Sequence, residues 1–242
     1  MGLGDHVVGV TSQCILPQGV ERPRVGDAFS ANVTEAILSV KPDLVLVQVN
    51  PDKFKTLREV DPNVKVEHFT IERLADIPTA MTRIAALAGK PDAAKTAVGQ
   101  FEAELVAVDK RVAGVARPRV LFVMGFKQPS TGGGDTFLGD MIERAGGTNV
   151  ARDMAGWKGL NIESVLSLKP DIIVCWIDSA YDKADEARDY WMKLKDLPAA
   201  QSGRVVVVDD RYWTIPTRRT SQYVAKLADI VHPRPAATEA RP

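Results

Sequence analysis

The chain has 242 residues, 45% hydrophobic and 26% charged, enough for one large domain or two small ones of ordinary soluble composition. Lys+Arg and Asp+Glu are both 31, so the formal charge is zero and the basic surface that binds nucleic acid is not expected. No apolar run approaches the ~18 residues of a membrane span, no basic-then-apolar leader opens the chain, and two cysteines, Cys14 and Cys175, set no redox compartment.

In chain order, Gly2 to Asp5 reads as a turn and Val7 to Val10 as a short strand. Thr11 to Ser30 is a polar loop rich in Gly and Pro, with Phe29 near its end. Then comes Glu35-Ala-Ile-Leu-Ser-Val-Lys-Pro-Asp-Leu-Val-Leu-Val47, which returns later as Glu163-Ser-Val-Leu-Ser-Leu-Lys-Pro-Asp-Ile-Ile-Val-Cys175. In each copy an acidic residue opens a short helix, where it meets the positive helix end. Lys-Pro stops the helix, because the residue before proline is pushed out of the α region. The aspartate turns the chain into an aliphatic run that suits a strand buried on both faces of a parallel sheet. Copies this far apart are not a solenoid, whose period is ~20–50 residues; they predict two similar lobes.

Asn50 to Val60 reads as a short helix and Val64 to Phe69 as a strand. From Ile77 the pattern is helical, interrupted or restarted at Gly89-Lys90-Pro91. Ala94, Val98, Phe101, Leu105, Val108, Val112 and Val115 form an apolar stripe. As one helix, Pro91 to Val115 would span ~37 Å and connect the lobes. The second lobe opens with the strand Val120 to Met124 and a glycine-rich loop to Asp135. A helix from Thr136 to Ala145 follows, then a loop from Ala151 to Leu160 that carries Trp157. Beyond the second repeat copy come a helix over Asp182 to Leu194, a strand over Val205 to Val208, a loop with Tyr212 and Trp213, and a closing helix over Thr220 to Val231. The expected organisation is α/β: an N-terminal lobe over 1–76, an interlobe helix over 77–117, a C-terminal lobe over 118–232 and a disordered tail over 233–242, each lobe built on mainly parallel sheet.

Catalytic signals are missing. Gly132-Gly-Gly-Asp-Thr-Phe137 has neither the third glycine of a dinucleotide fingerprint nor the Gly-Lys-Ser/Thr of a P-loop; it reads as an anion contact at a helix start or as a turn capped by Asp135. His6, His68 and His232 are far apart and pair with no cysteine at ligand spacing, so no metal site is expected. No Gly-x-Ser-x-Gly elbow is present. The aromatics say more. Phe29 and Trp157 stand at the same place ahead of Glu35 and Glu163. They are either a clamp for a large flat ligand at the strand ends or local plugs. Asn32-Val-Thr-Glu35 fits a capping box, and Glu163 after Asn161 a helix start.

The order and spacing of several segments carry a resemblance that runs from Gly2 to His232. They are Gly2 to Thr11, Pro23 to Gly26, both repeat copies, Ala145 to Val150 and Gly203 to Val208. The chain resembles the substrate-binding proteins of vitamin B12 and ferric-siderophore ABC importers, the periplasmic binding class with one rigid interlobe helix. The resemblance implies a non-enzymatic receptor without a cofactor, monomeric and extracytoplasmic, that holds a small-molecule metal chelate in the interlobe cleft. It would deliver that ligand to an ABC importer permease, with Glu35 and Glu163 as the two docking carboxylates. It implies ligand contacts from Gln13, Phe29, Trp157, Arg211, Tyr212 and Trp213. B12-binding members carry tyrosine where Gln13 stands, and siderophore-binding members use arginines, for which Arg211, Arg218 and Arg219 are candidates. Corrinoid, siderophore and haem stay open. Family members begin with a leader, a strand and a helix ahead of the segment that opens this chain, so the first lobe is expected to be cut short at its N-terminus. An enzyme on a two-lobed scaffold and a protein-binding or sensory relative are the rival readings.

Overall fold

Parallel pairing organises both parts of the chain. The computed structural model describes residues 1–233, so all but the first residue of the expected tail lies outside the described residues. Two compact units emerge, one from Met1–Ile71 with Ala80–Thr96, the other from Glu72–Thr79 with the chain from Ala97 onward.

In the first unit, α1 (Val33–Ser39) leads into β1 (Leu44–Val47). A 3-10 turn over Pro51–Phe54 and α2 (Lys55–Val60) then lead to β2 (Lys65–His68). β1 and β2 pair in parallel, Val45 opposite Val66. Ile37, Val47, Phe54, Leu57, Val64 and Val66 form the core beneath them. The expectation of a strand buried on both faces fails here: Leu46 is 44% exposed. The pleat sends alternate residues to opposite faces, and the core gathers on one face of this two-stranded sheet.

Val7 to Val10 is not a strand. Only Val10 makes a bridge, to Arg24. Side chains instead satisfy the carbonyls of this stretch. Arg22 donates to Val7 O at 2.6 Å and Gly4 O at 2.9 Å, and Arg24 to Thr11 O at 2.8 Å and Cys14 O at 2.7 Å.

The central helical region is two helices, α3 (Asp76–Leu87) and α4 (Ala93–Arg111). Between them Gly89 takes φ +67° and Pro91 follows. α4 is shorter than Pro91 to Val115, about 28 Å, because the chain turns out at Gly114 with φ +74°. Ala94, Phe101, Leu105 and Val108 of the stripe are buried; Val115, past the helix, is exposed.

The second unit contains β3 (Arg119–Met124), β4 (Ser130–Gly132), α5 (Phe137–Arg144), β5 (Thr148–Asn149) and β6 (Trp157–Gly159). It continues through α6 (Ile162–Leu168), β7 (Ile172–Trp176), α7 (Ala184–Met192), α8 (Pro198–Gln201), β8 (Val205–Val208), a 3-10 turn over Arg211–Trp213 and α9 (Thr220–Val231). The sheet runs β6-β4-β3-β7-β8, with β5 also on β3. β3, β7 and β8 are parallel; β4 is antiparallel to β3 and to β6. Here the apolar run is buried on both faces. Leu121, Val123, Ile173, Cys175 and Val205 pack with Val165, Ala187, Trp191 and Leu197, while Val120, Phe122, Ile172 and Val174 are fully buried on the alternate positions.

Asp140 on α5 clasps the Glu72–Thr79 segment. It accepts from Arg73 Nε and from Leu74 N, both at 2.9 Å, and pairs with Arg73 Nη2. That hydrogen-bonded carboxylate raises the Arg73 pKa above its ordinary value.

The two repeat copies share a backbone feature that the pattern only half predicts. Lys41 has φ +48° and Lys169 φ +44°. They are the non-glycine residues with positive φ among those described. The following proline bars the right-handed helical region, and each lysine takes the left-handed one, the conformation glycine ordinarily supplies at a helix end. In the second copy Arg119 Nη2 donates to Leu168 O at 2.8 Å, and Asp171 Oδ2 accepts from Arg119 N at 2.8 Å, locking the turn to β3.

Candidate functional site

In parallel α/β sheets ligands gather off the carboxyl ends of the strands. In the second unit Trp176 ends β7 and Val208 ends β8, paired side by side. The segment after β8 is built around Asp210. Its Oδ1 accepts from Tyr212 N at 3.0 Å, its Oδ2 accepts from the Tyr223 hydroxyl, and its carbonyl accepts from Trp176 Nε1 at 3.1 Å and Trp213 N at 3.1 Å. Lys226 Nζ lies 3.9 Å from Oδ2. Burial first, and the Asp210 hydrogen bond second, push the Tyr223 pKa up; this phenol stays a donor to the carboxylate.

That hub sets out the three predicted residues of the turn differently. Arg211 is exposed and reaches Asp178 Oδ2 at 3.4 Å. Tyr212 is half-buried, with the Arg219 guanidinium 4.4 Å from its ring centroid. Trp213 turns inward, 4% exposed, its ring 5.0 Å from Tyr223 and 5.9 Å from Phe122. It forms the floor under the turn.

Trp157 lies on the edge strand β6, not in a loop as the sequence suggests. It pairs opposite Gly132, packs 5.6 Å from Phe137 and remains 46% exposed. In the first unit Phe29 is 79% exposed, its N–H donating to Asp27 Oδ1 at 2.8 Å and Lys53 Nζ 3.7 Å from its ring centroid. Gln13 is exposed in the loop that Arg24 ties down.

Glu35 and Glu163 stand exposed in the first turns of α1 and α6. Neither closes a capping box. Asn32 makes no side-chain cap, and Asn161 Oδ1 accepts from Ser164 N at 2.8 Å without the help of Glu163. An N-cap side chain reaches the third N–H from extended backbone. Asn161 is extended at ψ 171°, whereas Asn32 sits at ψ 28°.

The glycine-rich loop is not capped by Asp135. Thr136 caps α5, accepting from Gly139 N at 3.1 Å, while Asp135 Oδ1 accepts from Gly156 N at 2.7 Å. A side chain at Gly133 would collide with the Met154 carbonyl, so close backbone packing explains that glycine. An open depression of about 620 Å³ lies over Gly134, Asp135, Glu143 and Arg152–Ala155, and holds none of the predicted site residues. Among the described residues no three His, Cys, Asp or Glu side chains gather as a metal site.

Asp178, Tyr181, Asp210 and Tyr223 escape sequence reasoning. Asp178 and Tyr181 follow β7, which ends at Trp176, so the strand-end rule that draws attention to the loop aromatics Tyr212 and Trp213 reaches them too.

The periplasmic binding protein family matches residues 1–212. An uncharacterized ABC transporter substrate-binding lipoprotein of Bacillus subtilis, YvrC, is 29% identical over 96% of this chain and 75% of its own length. A cobalamin-binding protein of Halobacterium salinarum is 28% identical over 96% of this chain and 65% of its own, so the chain spans slightly less than two thirds of that relative. Among solved structures, the periplasmic heme-binding protein RhuT from Roseiflexus in apo form has a TM-score of 0.79 and 26% identity, covering 95% of this chain and 91% of that one.

Proposed function

Because the chain belongs to the periplasmic binding protein family, we propose that it is the substrate-binding component of an ABC importer, capturing a corrinoid, haem or iron-siderophore chelate. The family match over 1–212 carries this reading. Relatives named for ABC transport, cobalamin and heme support it. An exposed aromatic in each unit, Phe29 in the first and Trp157 in the second, suits a large ligand with apolar faces. In this reading Arg211 and Tyr212 border the ligand and Trp213 supports them from below. Gln13 adds a polar contact.

The protein binds and releases its ligand unchanged, and its partner is a permease. Glu35 and Glu163, exposed and outside any capping box, present one carboxylate per unit to basic residues of that permease. Rim charges of this kind set orientation and encounter rate more than affinity. The work is done outside the cytoplasmic membrane. Among the described residues no helix is long and apolar enough to cross one. Titration with cyanocobalamin, haemin and a set of ferric siderophores, followed by tryptophan fluorescence, tests the reading. Saturable one-to-one binding without product supports it, and turnover would replace it with an enzyme.

A further inference from the structure

We propose that Asp178 is a positioning residue that presents Tyr181 and Arg211 as one recognition pair for a flat apolar ring system with an anionic edge. The inference rests on the chelate-binding reading above and specifies its ligand chemistry.

Asp178 lies two residues past the end of β7, and Arg211 opens the turn after β8, the adjacent parallel strand. One carboxylate touches both segments. Asp178 Oδ1 accepts from Ala180 N at 3.1 Å and Oδ2 from Arg211 Nη2 at 3.4 Å. The Asp178 carbonyl accepts from Tyr181 N and Asp182 N, both at 2.9 Å. The turn carrying Tyr181 is therefore capped by the residue that holds the arginine.

Tyr181 is 88% exposed, the most uncovered of the large hydrophobic side chains among the described residues. It sits beyond a strand end where α/β sheets receive ligands. A tyrosine on a fixed turn offers broad contact area at low entropic cost, with only two side-chain torsions to order. An arginine adds the planar donor set that matches a carboxylate. The Asp178–Arg211 contact is long, with the two side chains 27% and 43% exposed. Such a pair is weak, so a ligand carboxylate can take the guanidinium over. Ring stacking on Tyr181 and carboxylate capture by Arg211 describe a planar macrocycle with acidic side arms better than a neutral one.

Haemin, its dimethyl ester and cyanocobalamin are titrated against the full chain and its variants, with circular dichroism confirming each fold. Tyr181→Ala is expected to weaken haemin binding about tenfold or more. Arg211→Ala is expected to do the same for haemin and to leave the dimethyl ester, which lacks the carboxylates, unchanged. In an Asp178→Ala background, adding Tyr181→Ala should cost less than about threefold, since its positioning is already lost. An equal Tyr181→Ala loss in both backgrounds overturns the role of Asp178. Haemin binding that neither Tyr181→Ala nor Arg211→Ala changes overturns the pair. Wild-type binding of cyanocobalamin but not haemin overturns the anionic-edge ligand while keeping the importer reading. Wild-type binding of none of these, nor of any ferric siderophore, fails the importer reading itself.

Discussion

Replacing Lys169 by glycine should stabilise the protein, and Lys41→Gly should do the same in the other unit. Both lysines hold positive φ, +44° and +48°. An L-residue in the left-handed region carries a cost of about 1–2 kcal/mol from its Cβ. Glycine removes that clash but gives up about 0.5–1 kcal/mol in conformational entropy. The difference leaves a gain of about 0.5–1 kcal/mol per site, or a rise in Tm of roughly 1–4 °C for the larger unit that holds Lys169 and roughly 2–8 °C for the smaller one that holds Lys41. At Lys169 the turn cannot relax to another shape, because Arg119 Nη2 donates to Leu168 O at 2.8 Å and Asp171 ties back to Arg119 N. Both lysine side chains are exposed, so little packing is lost. Urea unfolding should show the midpoint raised with an unchanged slope, the sign of a stability change alone. Each variant should move the transition of the unit that contains it. A lower midpoint at both sites would refute the strain argument and assign the lysines a stabilising contact instead.

Other outcomes follow from the same geometry. Glu35→Gln with Glu163→Gln should leave ligand affinity and fold unchanged but slow transport or reduce ATPase stimulation in a reconstituted importer, the double variant more than either single one; wild-type transport would leave these residues no docking role. Trp157→Ala should weaken ligand binding by about 1–3 kcal/mol, and calorimetry finding no change in an intact fold would remove it from the site. Asp140→Ala should destabilise the second unit by about 1–3 kcal/mol, since one carboxylate serves Arg73 and Leu74; an unaltered melting curve would show the clasp to be idle. Burial pushes the Cys175 thiol up to about 11, and Cys14 is exposed, so alkylation of the native protein at pH 8 should mark Cys14 alone. Modification of Cys175 before denaturant is added would contradict that burial.

The repeat made the α/β plan legible, because Glu, Lys-Pro and Asp mark a helix start, a helix stop and a turn. The two strands nonetheless differ where their patterns agree. Ile172 to Cys175 is fully buried beneath helices, whereas Leu46 in the matching run is 44% exposed, because its sheet has two strands and a core on one face. Local chemistry misled at three points. Asn32 looks like a cap, yet its backbone is not extended and its side chain caps nothing. Trp157-Lys-Gly159 shows no inside-outside alternation, all three residues being on the exposed side, so nothing in its pattern marks a strand; register with β4 makes it one. Tyr212 and Trp213 look alike in a polar stretch, and only the turn fixed by Asp210 decides which ring faces inward. The hub itself joins Trp176, Asp210 and Tyr223 across sequence gaps that no local motif signals.

As a substrate-binding protein of this family, the chain captures a large metal chelate and hands it on unchanged. The most direct test of that function is a fluorescence titration of the purified protein with cyanocobalamin, haemin and ferric siderophores, with the ligand recovered and analysed afterwards. Saturable one-to-one quenching by at least one of these chelates is expected, with the ligand recovered intact. Flat titrations with all of them, or a chemically altered ligand in the recovered fraction, would contradict that function.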